Sequence, residues 1–298
     1  MVRVATFNVE NLFSRYRFRA NVNPNLDDGF TRNDLAFQIH DDYAKRITAR
    51  AIDAVNADII CLQEVENLGI LERFNSRYLA RMRYRHRILI DSHDPRYIDV
   101  AVLSRYPFEF IKSHRDERNS ANTTWLFSRD CLEVDVSVNG GVLSLYVNHF
   151  KSMMGGRAET RARRLEQATA VRDIVNEWWQ SVDFAGNFVV VGDLNDYPGA
   201  GTALGSLLNH PHLVNVVNRL PANQRWTHYW AGGDEYRQLD YLLLPRPLAD
   251  HNPGRPVIER RGLPWRAERF GGQRFDDVGD SEPKASDHCP LYMDLDLV

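Results

Sequence analysis

Asp193 and Asn195 close the run Asn187-Phe188-Val189-Val190-Val191-Gly192-Asp193-Leu194-Asn195-Asp196-Tyr197-Pro198. A short apolar segment rich in β-branched residues, bounded by glycine and proline, predicts a buried strand ending in a tight loop. Two residues apart on extended chain, Asp193 and Asn195 point to one side, so a carboxylate and an amide can converge on one ligand. Alone, the pattern fits an Asx turn equally well. Asn8, Glu64 and Asp287 also border strongly apolar segments. Together these residues form an oxygen-rich set suited to a hard cation such as Mg²⁺, which keeps several waters and takes few protein carboxylates. Without paired cysteines or a His-x-x-x-His spacing among them, zinc fits less well.

His149 and His288 lie at predicted strand ends and are candidates for proton transfer or phosphate contact near neutral pH. Asp240 is embedded between Leu239 and Tyr241, where an unpaired carboxylate is costly, so it requires a partner. His288 is the expected one, in an Asp-His arrangement that fixes a tautomer and steadies an imidazolium. Asp99, on the predicted Ile98 to Ser104 strand, is the corresponding candidate for His149, with a solvent-facing position an equal alternative. His40, His86, His93 and His114 lack such settings and read as surface residues.

The elements that must position these groups follow in order. Val2 to Phe7 reads as a strand delivering Asn8 and Glu10. Residues 14 to 40 read as a polar surface insertion near the site, and Asp41 as the N-cap of a helix carrying Ala44, Ile47, Ala51 and Val55. Ala57 to Leu62 is a strand ending at Gln63 and Glu64, and a helix begins near Asn67 with Leu71, Phe74 and Tyr78 inward. Strands are predicted at Arg87 to Asp91 and Ile98 to Ser104, and Asn139-Gly140-Gly141 predicts a hairpin between Leu132 to Val138 and Val142 to Val147. A basic helix spans Arg157 to Trp179, a short one Thr202 to Leu208. Strands at Trp226 to Trp230 and Gln238 to Leu244 precede a long loop from Pro245 to Ala285. The last strand alternates Leu291, Met293, Leu295 and Leu297 with polar residues.

A length of 298 residues with 43% hydrophobic content accommodates one large α/β domain, and core-forming segments from end to end predict a single domain over 1–298. A net charge of -3 gives no overall attraction for a polyanion, so phosphate binding must rest on local basic patches or a bound cation. Cys61, Cys131 and Cys289 are widely spaced and read as buried free thiols in a reducing compartment. No membrane-spanning segment or signal peptide is visible, which predicts a soluble, cytoplasmic protein; a chain trimmed of its signal would read the same.

Six segments, Phe7-Asn8-Val9-Glu10-Asn11, Leu62-Gln63-Glu64-Val65, Asn148-His149-Phe150-Lys151-Ser152, Gly192-Asp193-Leu194-Asn195, Leu239-Asp240-Tyr241 and Ser286-Asp287-His288-Cys289-Pro290, occur in the order seen in the endonuclease/exonuclease/phosphatase superfamily, and the chain resembles it over nearly its whole length. The resemblance implies a DNase I-like four-layer α/β sandwich, two packed mixed β-sheets flanked by helices. It implies Glu64 as principal metal-binding residue with Asn8 and Asp287 contributing, and Mg²⁺, replaceable by Mn²⁺, as cofactor. Asp193 and Asn195 would position the attacking water and the phosphate, with His288, backed by Asp240, at the scissile phosphate and His149 as a second catalytic histidine. Asn148, Lys151 and Arg129, the last within a Phe127-Ser128-Arg129 segment similar to one in DNase I, would contact phosphate or substrate. Glu10 departs from the shorter aspartate of abasic-site enzymes, which puts its metal role in question. The implied activity is metal-dependent phosphodiester hydrolysis, with a nuclease acting on DNA or other nucleic acid favoured. Alternatives are a phospholipid or small-molecule phosphoesterase of the same superfamily and a non-catalytic binding scaffold.

Overall fold

The computed structural model describes residues 1–12, 16–18, 35–37 and 42–298. The expected cap at Asp41 and most of the 14 to 40 insertion lie outside the described residues; within it, Tyr16–Phe18 and Leu35–Phe37 pair as a small antiparallel ribbon.

Two six-stranded sheets form the frame. One runs in the order Val257–Ile258, Leu291–Leu295, Val2–Leu12, Ile59–Val65, Asp99–Ser104, His86–Leu89, and the other Leu213–Asn215, Asp240–Pro245, Phe188–Asp193, Gly141–His149, Cys131–Val138, Phe108–Ser113. Each sheet has one parallel pair at its centre, Val2–Leu12 with Ile59–Val65 and Gly141–His149 with Phe188–Asp193. Parallel neighbours need a long crossover. The helices Asp42–Val55 and Arg161–Trp179 belong to those two crossovers. Both parallel pairs therefore end on one rim, where open α/β sheets place ligands.

Strand alternation builds the layers. Val4, Ile59, Cys61 and Val102 of the first sheet face Val134, Leu145, Val189 and Leu242 of the second in a dry central core. The intervening residues turn outward: Phe7, Ile60 and Leu62 beneath Ile47, Ile52 and Leu71, and Tyr146, Val190 and Leu243 beneath Val171 and Val175. The result is helix, sheet, sheet, helix. Full burial of each such aliphatic side chain contributes about 1.5–3 kcal/mol relative to exposure. The three cysteines are free and buried within these cores.

Two expectations need correction. The stretch from Pro245 to Ala285 is not all loop: Arg246–His251 is helical, with proline at its start, and Val257–Ile258 adds an edge strand to Leu291–Leu295. His114 is buried, 4% exposed, between Glu117 and Glu133. The flanking Ser113 and Arg115 give no apolar signal, and the edge strand Phe108–Ser113 that carries the chain to His114 has an exposed middle, which hides it from pattern reading.

Candidate active site

Asp193 ends its strand in register with His149 on one side and Asp240 on the other. The preceding Gly192 is required there: its φ is +131°, and an added Cβ would stand 2.0 Å from the Asn148 carbonyl oxygen. Asp193 is 1% exposed and fixed from three directions. Its Oδ1 accepts the Asn195 backbone N–H at 2.8 Å, and its Oδ2 accepts the side-chain amides of Asn195 at 2.9 Å and Asn8 at 3.1 Å. The Asn8 amide crosses between the sheets, so its strand end and that of Asp193 are locked together.

Around Asp193 Oδ2 stand two imidazoles, with His149 Nε2 at 3.5 Å and His288 Nε2 at 3.7 Å. His288 Nδ1 bonds Asp240 Oδ2 at 2.9 Å, the pairing expected for a carboxylate embedded in an apolar strand. Ser286 sets the approach: its hydroxyl donates to the Asn8 carbonyl and accepts the His288 N–H. Glu64 lies at a β-bulge with φ of 67°, which turns its carboxylate to within 3.8 Å of His149 Nε2. Asp287 is held by its backbone N–H donating to Glu10 Oε2 at 2.7 Å and by His228 Nε2, 3.5 Å from its Oδ2. Lys284 closes the outer side with an ion pair to Glu10 of 2.9 Å.

These surroundings drive the ionisations apart. Burial opposes charge on His288, but the Asp240, Asp193 and Asp287 carboxylates outweigh it and raise its proton affinity well above the ordinary value. Burial, with the nearby Arg129 and His288 charges, pushes His149 the other way, well below. The surroundings thus favour the proton on His288 and disfavour it on His149. Burial raises Asp193, which the His288 charge partly offsets, and burial followed by the Asp287 charge raises Glu64. Asp287 is half-buried, which opposes its charge, yet His228, His288 and Lys284 hold it far below the usual carboxylate range.

Not every expected residue converges. Asn148 and His149 are consecutive on a strand and face opposite sides; Asn148 is fully buried and donates to the Tyr146 carbonyl, away from the site, so a substrate contact by its side chain has no geometric basis. Asp99 does not reach His149: its carboxylate accepts the Ser92 N–H at 3.1 Å, burial pushes it up to about 7, and the His149 Nδ1 finds no side-chain partner among the described residues. Arg129 is 1% exposed and commits its Nε to Asp94 at 2.9 Å and its Nη1 to the Phe150 carbonyl. It acts on the site as a charge from below. Lys151 is half-buried at the rim, where burial and the Arg129 and Arg96 charges lower its proton affinity. Glu10 is spoken for by Lys284 and the Asp287 N–H.

Sequence reading missed His228, whose ring lies 4.6 Å from that of His288. It stands on the three-residue strand His228–Trp230 and meets His288 through an isolated bridge, too little pattern to mark it.

Metal chemistry can be tested on the donor set. Two three-residue groups of potential ligands cluster among the described residues, His228 with Asp287 and His288, and Asp193 with Asp240 and His288. In the second, His288 is the hydrogen-bond partner of Asp240 Oδ2, while Asp240 Oδ1 is buried with no partner among the described residues. Glu64 and Asp287 are half-buried carboxylates, and the Asp287 charge raises the cost of ionising Glu64. A divalent cation relieves such a pair, so the oxygen donors at this rim fit one.

The sequence profile of the Endonuclease/Exonuclease/phosphatase family matches residues 3–243. The chain belongs to that family. Family members are hydrolases of phosphate esters, and the motif residues of this chain occupy one rim of the family fold. Solved structures agree in architecture. Truncated Caenorhabditis elegans TDP2 aligns over 98% of this chain and 95% of its own with TM-score 0.58 at 18% identity. The human Nocturnin catalytic domain with bound sulfate anion aligns over 100% and 94%, TM-score 0.63, at 16% identity. An AP endonuclease from Archaeoglobus fulgidus aligns over 99% and 100%, TM-score 0.60, at 18% identity. No curated protein sequence matches significantly.

Proposed function

We propose that this chain is a single catalytic domain that hydrolyses phosphodiester bonds of nucleic acid, DNA in the first instance, with a divalent cation, Mg²⁺ or Mn²⁺. The observation that carries the reading is the Asp240–His288 pair beside Asp193: an imidazolium anchored through Nδ1 presents its Nε2–H 3.7 Å from a carboxylate of raised basicity. A phosphoryl oxygen near Nε2 gains a charged donor as negative charge grows on it. Asp193, with Asn195 and Asn8 fixing its orientation, aligns water for in-line attack and accepts its proton. Neutral His149 supplies a second polar contact between Glu64 and Asp193. Glu64, Asp287 and the Asn8 amide are the residues that would hold the cation, which when bound offsets charge on the phosphoryl group and leaving oxygen. Lys151 at the rim and buried Arg129 add positive potential for the phosphate. Support for a nucleic-acid substrate comes from the fold relatives, among them Danio rerio TDP2 solved with a single-strand DNA product.

The test is hydrolysis of plasmid DNA, abasic duplex, RNA, sphingomyelin and bis-p-nitrophenyl phosphate with Mg²⁺, Mn²⁺ or EDTA. Metal-dependent cleavage of a nucleic acid, abolished in His288→Ala and Asp193→Ala with the fold retained, is expected. Turnover of the lipid alone would move the assignment to a phospholipase, and near-normal rates in either variant would refute the assigned roles.

A further inference from the structure

A cavity of about 220 Å³ is walled by Arg225, Arg237, Arg269, Trp226, Tyr236 and Gln238, and also by Pro198, the residue after Tyr197 on the loop that carries Asn195. Among the described residues, no acidic side chain lines it. Two of its arginines are held in place by neutral acceptors: Arg225 donates through Nε to the Leu220 carbonyl at 2.8 Å and through Nη2 to the Asn218 carbonyl at 2.8 Å, and Arg269 through Nη2 to the Asn223 carbonyl at 3.2 Å. Carbonyls fix a guanidinium without neutralising it. Arg237 pairs with Glu235 through Nη2 at 3.0 Å, while its Nε is buried with no partner among the described residues. Two preset cations without a carboxylate, and a third, ion-paired arginine with an unsatisfied buried donor, line one cavity and call for an anion.

The cavity is tied to the reacting centre by the short ribbon His228–Trp230 and Glu235–Arg237. Arg237 is the cross-strand partner of His228, and directly opposed residues share a face of the ribbon. His228 in turn touches Asp287. From the other side the Arg237 guanidinium lies 4.8 Å from the centre of the Tyr197 ring, two residues beyond Asn195, and Arg157 covers that ring at 3.7 Å. An extended strand with one phosphate beside His288 can therefore set a neighbouring phosphate among these arginines, with Trp226 and Tyr236 as apolar walls for the attached nucleoside.

We infer that this cavity is a subsite for a backbone phosphate flanking the scissile bond, which makes the substrate a polynucleotide rather than a small phosphate ester. The inference rests on the phosphodiesterase reading above. The lining arginines contrast with Arg274 of the 245 to 285 stretch, which spends its donors on the Leu263, Phe270, Gly272 and Ala267 carbonyls and does not line the cavity.

Binding of a labelled single-stranded oligonucleotide to the full chain in EDTA, followed by anisotropy, isolates the subsite from turnover. Arg269→Ala is expected to weaken it about tenfold and Arg269→Glu further, with a salt dependence shallower by about 0.7 in log–log slope because one phosphate is no longer neutralised. Turnover of bis-p-nitrophenyl phosphate, which spans only the reacting centre, should change by less than about twofold under the same substitutions. Unchanged affinity and slope in Arg269→Glu would overturn the inference. So would a parallel loss of small-diester turnover, which would mark the residue as structural; Arg225→Ala, on a different loop, provides the second variant. Should the wild-type chain cleave neither substrate, the phosphodiesterase reading falls, while oligonucleotide binding that depends on Arg269 would still establish the subsite and absence of binding would exclude it.

Discussion

The buried His114 offers a prediction whose size follows from the geometry. Its Nδ1 lies 2.5 Å from Glu117 Oε1 and its Nε2 3.3 Å from Glu133 Oε2, and the imidazole side chain is 3% exposed. Burial opposes the imidazolium, but hydrogen bonds to Glu117 and Glu133 outweigh it and raise its pKa from 6.5 to about 9. A shift of that size corresponds to a ceiling of about 3 kcal/mol of folding stability, since one unit is worth about 1.4 kcal/mol. Glu117 is 41% exposed and its share is screened by solvent, so about 1–2 kcal/mol is the working figure. Because the folded pKa lies above the unfolded one, the contribution is complete below pH 6.5 and is lost as pH rises through about 9. Glu133→Gln removes the buried carboxylate charge and keeps the shape. Urea denaturation midpoints at a series of pH values should show the variant less stable near pH 6 by about 1–2 kcal/mol, with the gap closing toward roughly pH 10. A gap independent of pH over that range would refute the ion-pair account.

Asp240→Asn should lower kcat by roughly 10²–10⁴-fold and move the alkaline limb of the pH–rate profile to lower pH, because the carboxylates that hold the proton on His288 lose their nearest member; an unmoved limb would contradict the acid role. Glu64→Gln should abolish metal-induced thermal stabilisation, which in the wild type should approach about 3 kcal/mol at a hundredfold excess of Mg²⁺ over its Kd, and equal stabilisation of both proteins would remove Glu64 from the cation site. Lys284→Met leaves Glu10 without its cation and should cost about 1–3 kcal/mol by urea denaturation, largely recovered in Lys284→Arg; a neutral outcome for Lys284→Met would show that the pair is solvent-compensated.

Strand ends are legible because an apolar β-branched run followed at once by an acid or amide seldom occurs anywhere but where a buried strand meets the rim of its sheet. Asn8, Glu64 and Asp193 are all readable in this way, as is the need of Asp240 for a partner. What escapes reading is direction and long-range company. Asn148 and His149 are neighbours in one motif, yet the period of two on a strand allows only one of them to face the rim, and nothing local says which. Asp99 does lie on the expected strand but answers the Ser92 N–H instead of His149. His228 enters through a bridge to His288, far along the chain, which no local periodicity can announce.

The arginines make the deeper point about charge. In the sequence the arginines from Arg255 to Arg274 look alike, but a guanidinium carries five donors, and a folded chain uses them to satisfy its own irregular backbone. Arg274 meets carbonyls of Leu263, Phe270, Gly272 and Ala267 and is 4% exposed, so it stabilises its loop. Arg225 and Arg269 use part of their forks the same way and still border an open cavity. Local basic density therefore says little about polyanion binding in this chain of net charge -3; what separates a structural arginine from a recognition arginine is whether donors remain pointed at space after the backbone has been served.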